Sequence, residues 1–182
     1  MNKIVIFTLA VVLINIACFF TLSADVFALS FTDFQVYQLL SFQFMHFSLL
    51  HLVENIIGLA FVAGIAVELD MKFESFLMVY LLAVFIAVPV LSFFPGAVIA
   101  GNSTGIYGVL AATLSKARNF ISQKITLPLF TVFIFSLSIA NFFMGGVALN
   151  NVLKTDIFHF SGFASGTVAR LQRRRVKRIL RG

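Results

Sequence analysis

The feature that most constrains the fold is the apolar run Ile4–Leu22, which contains no charged side chain. About 20 apolar residues span a bilayer core as a helix, and within lipid every backbone polar group must be bonded inside its own segment. We therefore predict a transmembrane helix here. The composition agrees, with 60% hydrophobic and 11% charged residues against about 25% charged in soluble domains. These values exclude a soluble globular domain, a disordered chain and a nucleic-acid-binding module.

A signal peptide is the competing interpretation of this first run. Lys3 gives it a basic start, and the small residues Ser23 and Ala24 resemble a cleavage site. The apolar core of a signal peptide usually has about 7–15 residues, and this run is longer. The length therefore favours a helix that stays in the mature protein.

The rest of the chain divides into similar runs, and we predict six spans within one domain, residues 1–182. They lie at about 4–22, 49–67, 76–94, 103–115, 125–144 and 157–171. The predicted fold is an all-α membrane bundle with both termini on one side. Of the 13 Lys and Arg residues, all but Lys154 fall on that side, which makes it cytoplasmic by the positive-inside rule. Residues 172–182 form a basic cytoplasmic tail that acts as a topology signal or binds anionic headgroups.

Polar side chains inside spans are costly, so each is a functional candidate. Asn55, Ser103 and His159 lie 13 or 14 residues from charged residues at the cytoplasmic helix ends. At 1.5 Å per residue, all three are roughly 20 Å above that boundary. Three helices thus place an amide, a hydroxyl and an imidazole at one depth, which predicts a shared polar site. The polar residues in or next to spans that stand out are His46, His51, Glu54, Asn55, Ser103 and His159.

Ser103 begins the shortest predicted span, 103–115. At about 20 Å this helix is too short to cross a 30 Å core, so its N-terminus must end inside the membrane. Free N–H groups at a helix N-terminus stabilise developing negative charge. The local G-x-S-x-G pattern also fits the nucleophile elbow of α/β-hydrolases, but that elbow needs a strand and a soluble sheet, which this chain does not supply.

His159 is the histidine at matching depth on another helix, and we predict that it serves Ser103 as the base that a hydroxyl nucleophile needs. Gly162 and Gly166 follow it on the same helix, and small residues four apart let helix backbones approach closely. The fourth span has a matching small-residue face of Gly101, Gly105, Gly108 and Ala112. Tyr107, four residues after Ser103, is placed to stack on the imidazole.

His51 and Asn55 are four residues apart and share one face of the second span. Side chains of these types donate hydrogen bonds to oxyanions in acyl transfer. A metal site is the rival interpretation, but His46 and His51 are five apart and H-E-x-x-H is absent, so we predict no metal and no cofactor. Asp156 is a candidate third member of a triad, although its place at the outer helix end favours exposure to solvent. The single cysteine, Cys18, allows no disulfide.

Together these residues resemble the rhomboid family of intramembrane serine proteases. The resemblance covers roughly residues 37–170, and the order of the motifs is that of the family. The matching residues are Met45–Asn55 with its paired histidines and asparagine, Gly101–Ser103 with Tyr107 and Gly108, and His159 with Gly162 and Gly166.

The resemblance implies a role for each of these positions. Ser103 would be the nucleophile and His159 the general base, while His51 and Asn55, with the Ser103 backbone N–H, would form the oxyanion hole. Supporting positions would be His46, Tyr107, Gly101, Gly162 and Gly166. No triad acid would be required.

Three positions depart from the family pattern. The glycine that normally follows the serine is Thr104 here, with glycine displaced to Gly105. The Trp-Arg pair of the first outer loop reads Tyr37-Gln38, and Glu54 stands in the second span where an apolar residue is usual.

The function implied is hydrolysis of peptide bonds in or next to the transmembrane segments of membrane proteins. The partners would be those substrates and the lipid bilayer. The protein would lie in the bacterial inner membrane, with its site open to the periplasmic side. The alternatives are a rhombosortase-type enzyme that clips C-terminal membrane tails and a non-catalytic client-binding relative. A small transporter or channel is less favoured, because no charged residues pair across the midplane as in proton relays. We further predict substrate access past the second and fifth helices, with residues 145–156 as a lid loop hinged at Gly145-Gly146.

Overall fold

The structure is a computed structural model that describes residues 1–117 and 149–179. The predicted fifth span, 125–144, and the predicted hinge at Gly145-Gly146 lie outside the described residues. The described part is a bundle of helices with one small two-stranded sheet.

Three long helices form the first half of the bundle. Helix α1 covers Lys3–Thr21 and is capped by Asn2, whose Oδ1 accepts from the Ile4 N–H at 2.9 Å. Helix α4 covers Leu49–Glu68, with Ser48 as its cap, and helix α5 covers Phe73–Leu91. By length and composition, these three helices of the described residues qualify to cross a membrane.

Helix α5 begins and ends three residues earlier than the predicted span 76–94. It starts directly after Lys72 and carries Glu74 in its first turn, where a carboxylate is favoured by the helix dipole. Its last turn contains Pro89, and the Ser92 hydroxyl donates to the Pro89 carbonyl at 2.6 Å. The apolar run therefore extends past the helix into a turn, which hydropathy alone does not detect.

A compact segment of short elements connects α1 to α4. Tyr37 and Gln38 both donate to the Val26 carbonyl, at 3.3 and 3.2 Å. The Ser41 hydroxyl donates to the Phe27 carbonyl at 2.7 Å, so the segment is fastened by side chains to its own backbone. Its elements are α2 (Ala24–Phe27), β1 (Leu29–Ser30), α3 (Gln38–Ser41) and a 3₁₀ turn (Phe42–Phe44).

Helix α6, Ser103–Ala117, lies at the centre of the bundle and packs against α4, α5 and the last described helix. Every residue from 104 to 113 is buried. Small residues along this stretch allow neighbouring helices to approach from all sides. Its lower end is held by Lys116, whose ammonium group donates to the Leu69 carbonyl. The preceding strand β2, Val98–Ile99, pairs antiparallel with β1.

The last described helix, α7, covers Leu149–Ile179 and is about 46 Å long. The prediction that residues 145–156 form a loop is therefore wrong for 149–156, and the basic tail that we placed at 172–182 is helical through Ile179. The apolar run marks only the middle of this helix. Its polar first turns contain no Gly or Pro, and the Thr155 hydroxyl donates to the Asn151 carbonyl at 2.9 Å within the helix.

Candidate active site

Ser103 and His159 are in hydrogen-bond contact, with Oγ and Nε2 3.0 Å apart. Ser103 is the first residue of α6, and His159 comes from α7. Gly101, with φ +94°, turns the chain into α6, a conformation that side-chain-bearing residues adopt only with strain. Two residues that are 56 positions apart in the chain thus form a hydroxyl–imidazole pair.

Glycines at the contact between α6 and α7 fix the position of His159 along the helix axis relative to Ser103. A Cβ added at Gly162 would overlap the backbone of Thr104, and one added at Gly166 would overlap the backbone of Gly108. Helices α6 and α7 therefore pack backbone against backbone at both levels. Because Gly162 lies three residues after His159 and Thr104 directly follows Ser103, this packing holds the two side chains side by side.

Tyr107 and His159 are in ring contact, with centroids 4.3 Å apart and planes inclined by 34°. The Nδ1 atom of His159 is buried and has no hydrogen-bond partner among the described residues. Asp156 therefore makes no hydrogen bond to it, and the ring is oriented by Tyr107 and by Ser103. Within the described residues, Ser103 and His159 thus form a pair in which no acidic side chain bonds His159 Nδ1.

His51 and Asn55 lie beside the backbone that leads into Ser103. A Cβ at Gly101 would be 2.9 Å from His51 Nε2 and 3.7 Å from Asn55 Nδ2. The Asn55 amide donates one hydrogen to the His51 carbonyl at 2.9 Å, and an Asn amide carries two. Only a glycine at position 101 lets the loop approach these two nitrogen atoms so closely.

His46 lies outside the predicted spans and does not line the cavity that contains Ser103 and His159. Its ring packs edge-on against that of His51, with centroids 5.0 Å apart. Its Nδ1 donates to the Phe44 carbonyl at 3.3 Å. Burial lowers the pKa of His46 to about 4, against the smaller opposing effect of this hydrogen bond. A neutral ring at this position supports His51 without adding a charge.

One cavity of about 430 Å³ is lined by several of the predicted site residues. Its polar part contains His51, Asn55, Gly101, Ser103, Tyr107 and His159. Its apolar part runs along α4 and α6 and includes Ile57, Phe61, Ile106 and Leu110. Glu54 also lines the cavity. Within the described residues, no three His, Cys, Asp or Glu side chains are placed to hold a metal ion.

Two contacts at the site were not predicted from the sequence. The Gly101 N–H donates to the Phe42 carbonyl at 2.8 Å, and the Asn102 side-chain amide donates to the Tyr80 hydroxyl at 2.9 Å. The first involves backbone atoms and leaves no sequence signal. For the second, Tyr80 and Asn102 stand out as polar residues in a mostly apolar span and in the serine motif, but the sequence does not show that they meet.

The described residues form a helical bundle in which a hydrogen-bonded Ser–His pair lines one cavity. Residues 33–175 match the family model of the rhomboid domain. The chain therefore belongs to the rhomboid family and is an integral membrane protein. Members of this family are generally intramembrane serine proteases, and some are inactive. A search of curated proteins found no match.

Proposed function

We propose that the chain is an active intramembrane serine endopeptidase that uses a Ser103–His159 dyad. The observation that carries the proposal is the 3.0 Å separation of Ser103 Oγ and His159 Nε2. A serine hydroxyl becomes a useful nucleophile only with a base in such contact. Inactive relatives usually lack one of the two residues, whereas this chain keeps both.

The chemistry proceeds by acyl transfer. As Ser103 Oγ attacks the scissile carbonyl carbon, His159 Nε2 takes its proton. His159 then gives that proton to the leaving amine as the peptide C–N bond breaks, which leaves an acyl-enzyme. Water, deprotonated by the same imidazole, attacks the ester, releases the second product and restores Ser103.

His51, Asn55 and the Ser103 backbone N–H are the proposed oxyanion donors. Two observations support this role. The side-chain nitrogens of His51 and Asn55 flank Gly101, just before the nucleophile, and one hydrogen of the Asn55 amide is not used by the His51 carbonyl. Removal of one such donor typically lowers kcat by about 10²–10³.

The proposed substrates are transmembrane segments of other membrane proteins. The cavity below Ser103 is lined by apolar residues, and Ile57 and Phe61 on α4 are 63% and 55% exposed. Such a surface suits apolar side chains of a client segment. The client helix must unwind locally, because its backbone carbonyls are otherwise hydrogen-bonded. We further propose that the site opens on the outer, periplasmic face of a bacterial inner membrane, as the basic residues indicate.

The test is cleavage of a reporter transmembrane substrate in proteoliposomes by the wild type, Ser103→Ala and His159→Ala. We expect both variants to lose cleavage. Ser92→Ala is the matched control, because its exposed hydroxyl bonds the Pro89 carbonyl in its own turn and does not line the cavity. Undiminished cleavage by Ser103→Ala would contradict the proposal.

Two other functions correspond to different outcomes of this experiment. Cleavage restricted to reporters with a C-terminal Gly-Gly-containing membrane tail would indicate rhombosortase-type processing. Binding of reporters without cleavage by the wild type would indicate a client-binding protein.

A further inference from the structure

A buried hydrogen bond connects α5 to the residue that precedes the nucleophile. The Asn102 amide donates to the Tyr80 hydroxyl at 2.9 Å. Asn102 is 0% exposed and Tyr80 is 1% exposed. Neither residue lines the cavity, so neither is placed to touch a substrate.

The Tyr80 bond adds to backbone hydrogen bonds in the segment leading to Ser103, among them that of the Asn102 carbonyl, which accepts from the Ile106 N–H at 3.2 Å at the start of α6. The pairing of β2 with β1 holds residues 98 and 99. The Gly101 N–H is bonded to the Phe42 carbonyl. Both restraints act on backbone before position 102, whereas the Tyr80 bond holds the residue next to the serine and ties it to a different helix.

Tyr80 is itself held firmly. Its ring meets the Phe7 ring edge-on at 5.4 Å. On another side it lies against Gly105, where an added Cβ would be 2.9 Å from Tyr80 Cδ2 and Cε2. The same Cβ would be 2.7 Å from Val84 Cγ2, so the glycine at position 105 lets α6 pack closely on both side chains of α5.

We propose that Tyr80 and Asn102 are a positioning pair that fixes Ser103 for attack; this inference rests on the proposed function. A misplacement of about 1 Å can cost a catalyst about 10²-fold in rate. The Asn102 Oδ1 has no partner among the described residues, so the Tyr80 bond orients this amide. A buried amide that loses its partner is destabilised and tends to reorient, and the serine directly after it moves with it.

The test compares Tyr80→Phe, Asn102→Ala and the double variant for kcat, KM and the rate at which a fluorophosphonate labels Ser103. Each single variant should lower kcat and the labelling rate about 10- to 100-fold with KM unchanged. The double variant should be no worse than the poorer single variant, because both remove the same bond. Tyr37→Phe is the matched control and should behave as the wild type, since its hydroxyl bonds the Val26 carbonyl and neither residue lines the cavity.

Rates are taken per folded enzyme after size-exclusion chromatography, and labelling needs no transmembrane substrate. The pairing would be overturned if Tyr80→Phe and Asn102→Ala were labelled, and cleaved substrate, at the rates of the wild type. Additive losses in the double variant would also overturn it. Both outcomes would leave the proposed function intact. A parallel rise in KM with unchanged labelling would likewise overturn it. If the wild type neither cleaves nor is labelled at Ser103, the proposed function fails and this inference falls with it.

Discussion

Helices α1 and α6 are both apolar, yet α1 leaves most of its surface exposed whereas α6 is buried. Helix α1 contacts the bundle through one stripe and leaves large side chains such as Leu13 and Phe20 exposed, at 66% and 74%. Helix α6 is buried on every side from residue 104 to 113 and is rich in Gly and Ala. The first is a helix suited to lipid contact, and the second is the centre of the fold.

The difference shows that hydropathy does not identify the helix that carries the proposed nucleophile. Helix α1 qualifies as a membrane span, whereas α6 is not among the helices that do. Helix α6 nevertheless carries Ser103 and packs backbone against backbone on α7. We expect substitutions in α6 and its contacts to affect catalysis, and substitutions in α1 to affect at most stability.

The largest expected effect is that of Gly162→Ala. Its Cβ would overlap the Thr104 backbone, so α7 must move away from α6. We expect activity to fall by about 100-fold or more as the Ser103–His159 contact opens. The overpacking should cost about 1–3 kcal/mol of unfolding free energy. Cleavage assays and denaturation in detergent measure the two effects.

Gly64→Ala in α4 is the matched control for this substitution, because nothing lies within 4 Å of a Cβ at that position. Alanine should leave activity unchanged and raise helix stability by up to about 1 kcal/mol. Equal activity of the two alanine variants would show that the glycine packing of α6 on α7 does not position the dyad.

A smaller effect is expected for Gly101→Ala, compared with Gly96→Ala. Both glycines have positive φ, +94° and +75°, so both variants should lose about 1–2 kcal/mol from backbone strain. Only position 101 brings the new Cβ within 2.9 Å of His51 Nε2, whereas position 96 is open. We therefore expect kcat to fall about 10-fold or more for Gly101→Ala alone, as for a displaced oxyanion donor. Equal kcat values of Gly101→Ala and Gly96→Ala would contradict the proposed role of His51 as an oxyanion donor.

The smallest effect is expected in α1. Asn15 is fully buried, and neither polar atom of its side chain has a partner among the described residues. Asn15→Leu removes this unsatisfied amide, so unfolding free energy should rise by about 1 kcal/mol with catalysis unchanged. A loss of activity would place α1 in the catalytic machinery and remove the contrast with α6.

Much of this site was predictable because polar residues inside spans are few. Asn55, Ser103 and His159, for which a common depth predicts a shared site, line one cavity in the structure together with His51. Depth could be calculated because the charged helix ends give a reference level and the helical rise is fixed.

Other features left no usable signal in the sequence. The length of α7 was underestimated because its first turns and its basic end are polar, and hydropathy detects helix only where it is apolar. The turn at the end of α5 was overlooked for the opposite reason, since its residues are apolar but not helical. The Asn102–Tyr80 bond joins residues 22 positions apart, and a single sequence does not reveal such a tertiary contact.

The most direct test of the central claim is to locate the covalent adduct of a fluorophosphonate on the membrane-reconstituted protein by mass spectrometry. The account predicts an adduct on Ser103 of the wild type and Gly64→Ala, and strongly reduced labelling in His159→Ala and Gly162→Ala. An adduct on another serine, or undiminished labelling of Ser103 in His159→Ala, would contradict the Ser103–His159 dyad.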